Sequence, residues 1–241
     1  PILTITTPSS NSYHNSAPEY SIDISGTNID CIWYTLMNGE EFFITLYEDF
    51  MNSGEWNTLS DGNVIITFFV NDTLGNEYST SVIVIKDTQD PLLFIDAPLE
   101  NQLFDFESPF FELTVYESNL RCIWYSLGGH TKNLTLTTSG FIDESIWNSL
   151  SNGSHSIQFY VKDYAGNIVY KDLSIQKDVL PPSITIQFPI DAKVFGEIAP
   201  YYDIGVHDGN LDSVWYSLDG SQFMFIDILA GTLNQDLWDQ I

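Results

Sequence analysis

Apolar and polar residues alternate in short runs along most of this chain, with turn residues between the runs. The clearest is Phe110-Phe-Glu-Leu-Thr-Val-Tyr116. Period two puts successive side chains on opposite faces, which is the signature of a half-buried strand. Runs over 92–98, 120–127, 134–138, 156–162 and 170–176 predict further strands, the last two forming a hairpin. Several short strands separated by turns predict an all-β sandwich. On the strand at 120–127, Leu120, Cys122 and Trp124 share one face and Ile123, Tyr125 and Leu127 the other. The face bearing the tryptophan is expected to point inward.

One segment breaks the β pattern. Ile142-Asp143 is followed by Trp147 and Leu150, as Met51-Asn52 is by Trp56 and Leu59. Asp or Asn there suits a helix N-cap, and the apolar residue before it can staple to the tryptophan. A short helical turn is predicted, plugging one end of the sandwich. The hairpin turns read Asp72-Thr-Leu-Gly75-Asn76 and Asp163-Tyr-Ala-Gly166-Asn167. Gly supplies positive φ and Asp bonds its own backbone two residues on.

These features repeat. Trp33, Trp124 and Trp215 lie 91 residues apart, and so do Trp56, Trp147 and Trp238. Pro18, Pro109 and Pro200 keep the register, as do Asn28, Asn119 and Asn210. The first copy lacks one residue between Pro8 and Pro18. Repeat 1 is expected over 1–89, repeat 2 over 90–180, and repeat 3 over 181–241, incomplete and without the closing hairpin. The linkers Lys86-Asp87-Thr-Gln-Asp-Pro91 and Lys177-Asp178-Val-Leu-Pro-Pro182 are short and proline-stiffened, which favours touching neighbours with limited bending.

The strand–Asp-x-x-Gly-Asn–strand–Lys-Asp-x-x-x-Pro pattern, with Asn210-Leu-Asp-x-x-Trp-Tyr-Ser-Leu-Asp-Gly220, resembles the tandem Ig-like repeats of very large archaeal cell-surface proteins. Similar modules occur in bacterial surface proteins. The resemblance spans the chain and implies tandem Ig-like or fibronectin-III-like sandwiches used as stalks, spacers or adhesive arms. It carries no functional residues with it. Arg121 departs from the pattern, standing where Asp30 and Asp212 stand in the other copies.

Charge narrows the function. Seven Lys and Arg face 33 Asp and Glu, a net charge of −26. Such a field repels nucleic acid and anionic membrane surfaces. The first reading of the acidity is solubility in salty or cation-rich surroundings. No run approaches the ~18 apolar residues of a membrane span, so no membrane insertion is expected within this segment. The opening Pro-Ile-Leu-Thr has no signal-peptide character, and we read the chain as an internal piece of something longer. Cys31 and Cys122 occupy equivalent sites in separate copies, too far apart for a disulfide if the copies stand in a row. They are expected to be small buried hydrophobes.

No catalytic residue is assigned. His14, His130, His155 and His207 recur at no fixed position, and no nucleophile, zinc or phosphate-loop motif is present. No cofactor is expected, with one alternative: calcium at the hairpin aspartates with linker carboxylates Asp87 and Asp178. A sugar-stacking platform at the helical-turn tryptophans Trp56, Trp147 and Trp238 is a second alternative. Asn71, Asn133 and Asn152 head sequons and are the candidate N-glycosylation sites. The sequence is therefore read as an extracellular structural or adhesive stalk module, with surface proteins, glycans or neighbouring repeats as partners. The alternatives are a carbohydrate-, protein- or calcium-binding module, with its site on variable loops such as 128–132, and accessory repeats of a large secreted enzyme.

Overall fold

The computed structural model describes residues 1–220 and 222–241. It divides into two units, Pro1–Asp178 and Val179–Ile241.

The first unit holds two β-sandwiches. One contains β1 (Ile2–Thr7), β2 (Tyr13–His14), β3 (Glu19–Ser25), β4 (Ile29–Leu36), β5 (Glu41–Phe43), β6 (Glu48–Phe50), α1 (Ser53–Thr58), β7 (Gly62–Asp72) and β8 (Glu77–Lys86). The other contains β9 (Leu92–Ala97), β10 (Gln102–Phe104), β11 (Phe110–Tyr116), β12 (Leu120–Leu127), β13 (His130–Thr135), β14 (Ser139–Phe141), α2 (Glu144–Ser149), β15 (Gly153–Asp163) and β16 (Ile168–Lys177). Each packs a three-stranded sheet, β1-β3-β6 or β9-β11-β14, against a five-stranded one, β2-β8-β7-β4-β5 or β10-β16-β15-β12-β13. Pairing is antiparallel except where β2 meets β8 and β10 meets β16. Each sandwich has its own apolar core.

Three expectations about strands are corrected. The inward face of β12 carries Ile123, Tyr125 and Leu127, all nearly inaccessible, while Trp124 and Cys122 face outward and are half-buried. β4 does the same with Ile32, Tyr34 and Leu36. The outward tryptophans instead stack across strands, Trp33 on Phe69 at 5.2 Å and Trp124 on Tyr160 at 5.0 Å, both nearly parallel. Such cross-strand pairs stabilise the outer face of a sheet. The strand expected over 134–138 is β13 and begins at His130, because Gly128 and Gly129, both at positive φ, close a two-residue hairpin that pairs Leu127 with His130. Residues 128–132 are thus a turn and a strand rather than a variable loop. β10 and β14, of three residues each, are too short to show a period.

The predicted helical turns are α1 and α2, and three kinds of contact fix them. The Asn52 and Asp143 side chains accept from backbone N–H groups of the first turn. The backbone N–H of each cap donates to the inward tyrosine of β4 or β12, Asn52 to Tyr34 Oη at 2.7 Å and Asp143 to Tyr125 Oη at 2.8 Å. At the other end, the buried Lys177 ammonium donates to the Trp147 and Leu150 carbonyls at 2.7 and 2.9 Å, and Lys86 repeats this on Trp56 and Leu59. These carbonyls lie at the helix end; those of Trp56 and Trp147 also accept the N–H of Leu59 and Leu150 at 3.2 and 3.1 Å, and the lysine adds the donor that a helix terminus lacks. Both lysines also lie over the tryptophan rings they enclose. Trp56 and Trp147 are fully buried, so the sugar-platform alternative at these positions is overturned.

The one-residue deletion in the first copy has a local effect. Phe104 packs edge-on against Trp147, and the Asp105 carbonyl accepts the Trp147 indole N–H at 3.2 Å. In the first sandwich His14 packs edge-on against Trp56, but the Trp56 indole nitrogen is buried without a partner. The shortened segment keeps the ring contact and loses the carbonyl.

The second unit contains β17 (Ser183–Phe188), β18 (Tyr201–His207), β19 (Trp215–Tyr216), β20 (Met224–Phe225), β21 (Ala230–Thr232) and α3 (Gln235–Trp238). Its sheets are β17-β18-β21 and β19-β20. The tyrosine contact recurs, Asn234 N–H to Tyr216 Oη at 2.8 Å. No long closing hairpin lies among these residues, and the equivalent of the second core is open. Ile184, at the position of Leu93, is 58% exposed where Leu93 is 2%.

Two outcomes follow from the buried turn. Lys177→Met keeps the aliphatic stem and removes the donor, and should cost about 1–3 kcal/mol, read as a lower urea midpoint at constant slope. An unchanged midpoint would remove the lysine from this account. Burial holds the His14 imidazole below its ordinary pKa, which is about 6.5. The folded chain therefore favours the neutral ring. That contribution is full above about pH 6.5 and is lost as pH falls through the lower folded value. His14→Phe, the residue the second copy uses, should stabilise the chain more at pH 5 than at pH 8. Equal melting shifts at the two pH values would contradict this.

Candidate functional site

Polar chemistry in the first unit is concentrated where the first sandwich hands over to the second. β8 ends at Lys86, and the next residue, Asp87, is built into the second sandwich. Its Oδ2 accepts from Asn119 Nδ2 at 2.6 Å, and its main-chain carbonyl accepts from Asn167 Nδ2 at 3.0 Å. Asp87 N–H in turn donates to the His14 carbonyl. Asn15, from the first sandwich, donates through Nδ2 to Asn167 Oδ1 at 3.0 Å and through its N–H to the Ala165 carbonyl. Tyr13 and Tyr164 bring their rings to 6.5 Å. Gly166, at φ 105, lies under the Asn15 amide; a side chain there would meet Asn15 at ordinary contact distance but would be strained in its backbone.

The hairpin turn between β15 and β16 supplies the next layer. Asp163 is fully buried. Its Oδ1 accepts from the N–H groups of Gly166 and Asn167, at 2.6 and 2.8 Å, and its Oδ2 accepts from Asn167 Nδ2 at 2.8 Å. The loop between β11 and β12 adds Glu117, whose Oε1 accepts the Asn119 N–H at 3.0 Å. Carboxylate oxygens of Asp87, Glu117 and Asp163 all lie within 4.8 Å of one another. Each such pair repels by about 1–4 kcal/mol between the bulk-water and near-surface limits. Among the described residues the ion pair present is Lys132–Asp143, elsewhere in the fold. The amides of Asn119 and Asn167 are what stands between these charges. Asn119 is itself buried, and its Oδ1 has no hydrogen-bond partner.

The structure thus brings together two of the residues singled out from sequence, Asp87 and the hairpin aspartate Asp163. That aspartate meets the linker preceding its own repeat. Asp178, at the far end, donates its N–H to the Phe104 carbonyl and is not part of the cluster. Asp72, the equivalent hairpin residue of the first copy, is satisfied inside its own turn by Leu74 and Asn76, and those hydrogen bonds hold its carboxyl below the usual range. Glu117 and Asn119 escaped the sequence reading as ligands. The recurrence of Asn28, Asn119 and Asn210 was the available signal, and nothing in it said that the side chain faces a linker.

The other candidates are dispersed. Cys31 and Cys122 are free and half-buried on the outer sheet face, so they are not the core residues expected. Burial and then the neighbouring Asp30 carboxylate push the Cys31 thiol upward, the wrong direction for a nucleophile at neutral pH. Among the sequon asparagines, Asn133 is exposed on β13. Asn152 is half-buried. Asn71 is half-buried on β7, with its Oδ1 accepting the Cys31 N–H at 2.8 Å. No helix among the described residues is long and apolar enough to cross a membrane.

No protein-family model and no curated protein matches the sequence. Solved structures do. The fibronectin(III)-like modules of Clostridium thermocellum CbhA superpose with a TM-score of 0.51 at 11% identity, covering 74% of this chain and 95% of that one. A tetra-tandem repeat from the extending region of a large adhesion protein matches at 13% identity, over 98% of this chain and 63% of that one, with a TM-score of 0.32. A Ca2+-stabilized adhesin with which an Antarctic bacterium binds ice matches at 13% identity, over 86% and 60%, with a TM-score of 0.37. At such identities the likeness concerns fold, and the fold is all-β: tandem sandwiches of the fibronectin-III and Ig-like type.

Proposed function

We propose that this chain is a structural or adhesive stalk segment of a cell-surface protein, working outside the cell and without catalysis. Its modules are the three copies of the 91-residue unit, 1–89, 90–180 and the incomplete 181–241, of the kind carried by large archaeal surface proteins. The observation that carries the reading is the joint. Asp87 and Asn15 of one sandwich are hydrogen-bonded into the buried turn of the next. A flexible tether would leave its linker solvated. Here the linker is part of the neighbouring fold, which suits a module whose task is to hold a spacing. The acidity keeps such an array soluble and discourages self-association. The partners proposed are neighbouring repeats, surface proteins and glycans.

The joint can be tested without substitution, because each of the first two copies carries one native thiol. Spin labels on Cys31 and Cys122 of the full chain should give a narrow distance distribution between the repeats. A broad distribution typical of freely jointed domains would sink the stalk reading. Glycosylation adds a second test. The exposed Asn133 is the sequon proposed to carry glycan, and Asn71, whose amide is engaged with the Cys31 backbone, is proposed to stay bare. Peptide mass spectrometry of native material showing the reverse would overturn that assignment.

A further inference from the structure

We propose that the joint between the first two repeats is a divalent-cation site of the calcium class. Its ligands are the carboxylates of Asp87, Glu117 and Asp163 and the Oδ1 of Asn119. The site goes beyond the stalk reading and rests on it only in placing the chain where free calcium is plentiful.

Two independent observations carry the site. One is the convergence of three carboxylates from three separate segments, a linker, a loop and a hairpin turn, to within 4.8 Å. Without a cation that arrangement concentrates negative charge, in a chain that already carries −26, and around a fully buried Asp163. The other is the orphan oxygen of Asn119. This residue is 6% exposed, its Nδ2 touches Asp87 Oδ2, and its Oδ1 is buried with no partner. A buried acceptor without a donor is costly. A cation among these groups resolves both defects, because it takes oxygen from carboxylate and amide alike.

The donor set selects the metal. All the candidate ligands are hard oxygens, with no His or Cys among them, which excludes the zinc and copper classes. Three carboxylates, each able to bind through one or two oxygens, and one amide oxygen approach the six to eight ligands calcium takes in irregular geometry. Magnesium demands a near-ideal octahedron and keeps its waters. These side chains come from unrelated segments and impose no such octahedron.

The sequence also indicates how widely the site recurs. Asp87, Glu117 and Asn119 have counterparts 91 residues on in Asp178, Asp208 and Asn210. In the first copy Asp72 and Asn28 are retained, while Gly26 stands at the position of Glu117. The full ligand set, including the hairpin aspartate, occurs once in these residues, which makes one site per chain the expected stoichiometry.

The experiment is calorimetric titration of the chelator-treated full chain with calcium chloride, and separately with magnesium chloride, together with thermal melts. One calcium should bind per chain. Unfolding of the first two repeats should rise by about 5–10 °C when free calcium exceeds the dissociation constant a hundredfold. Magnesium should do markedly less. Glu117→Gln, which removes a ligand outside the turn hydrogen bonds of Asp163, should lose the binding heat and the melting shift while its melt in chelator stays at or above that of the unmodified chain. Asp72→Asn, in the hairpin of the first copy, should leave calcium binding intact. Absence of calcium heat, equal response to magnesium, or a shift that persists in Glu117→Gln would each overturn the site. The stalk reading is judged separately by the spin-label distance in chelator. A narrow distance without calcium binding removes only the cation, whereas calcium binding with a broad distance in both states removes only the stalk.

Discussion

Each sandwich depends on a buried helical turn that is held at both ends. A tyrosine hydroxyl from β4 or β12 accepts the backbone N–H of the turn's N-cap, and a lysine from the end of the last strand donates to its final carbonyls. Between these anchors the tryptophan is sealed from solvent. Truncating such a residue to alanine costs about 3–5 kcal/mol, a large share of the stability of a small domain. The lysines are a telling choice. In a chain with so few cations, two are placed inside, where each ammonium donates to two carbonyls and lies over the tryptophan ring. The arrangement also ties β4 or β12, the turn and the last strand into one unit.

The inward tyrosine explains why the outward tryptophan is where it is. A strand can send only alternate residues inward. Once Tyr34 and Tyr125 are required at the caps, Trp33 and Trp124 must face out. They are then accommodated by stacking on Phe69 and Tyr160 of the neighbouring strand. A stacked ring has one face already covered, which leaves these residues better explained as sheet stabilisers than as a platform for a flat ligand.

Much of this was legible in the chain itself. The 91-residue period, the capped turns, the Asp-x-x-Gly-Asn hairpin and the all-β class rest on local chemistry that a sequence displays directly. The orientation of the Trp-Tyr strand was not legible. Both of its faces are apolar, and the deciding hydrogen bond joins Tyr125 to Asp143, eighteen residues away. The polar joint was half legible. Asp163 declared itself through its turn motif, whereas Glu117 and Asn119 became significant only when a loop was seen to face the preceding linker. Short strands such as β10 and β14 gave no periodic signal because three residues cannot hold one.

The two exceptions to antiparallel pairing have a mechanical meaning. β10 lies parallel to β16, with Gln102, Leu103 and Phe104 alongside Ile175, Gln176 and Lys177, and β16 runs straight into the outgoing linker. Tension on a chain of such repeats enters near the first strands and leaves through the last. Parallel strands pulled from opposite ends slide lengthwise, so the load falls on all their hydrogen bonds together instead of opening them one at a time. The last of those paired residues, Lys177, is also the one gripping the buried turn. A strand that would carry load on extension is thereby also anchored in the core, through the Lys177 contacts to the helical turn.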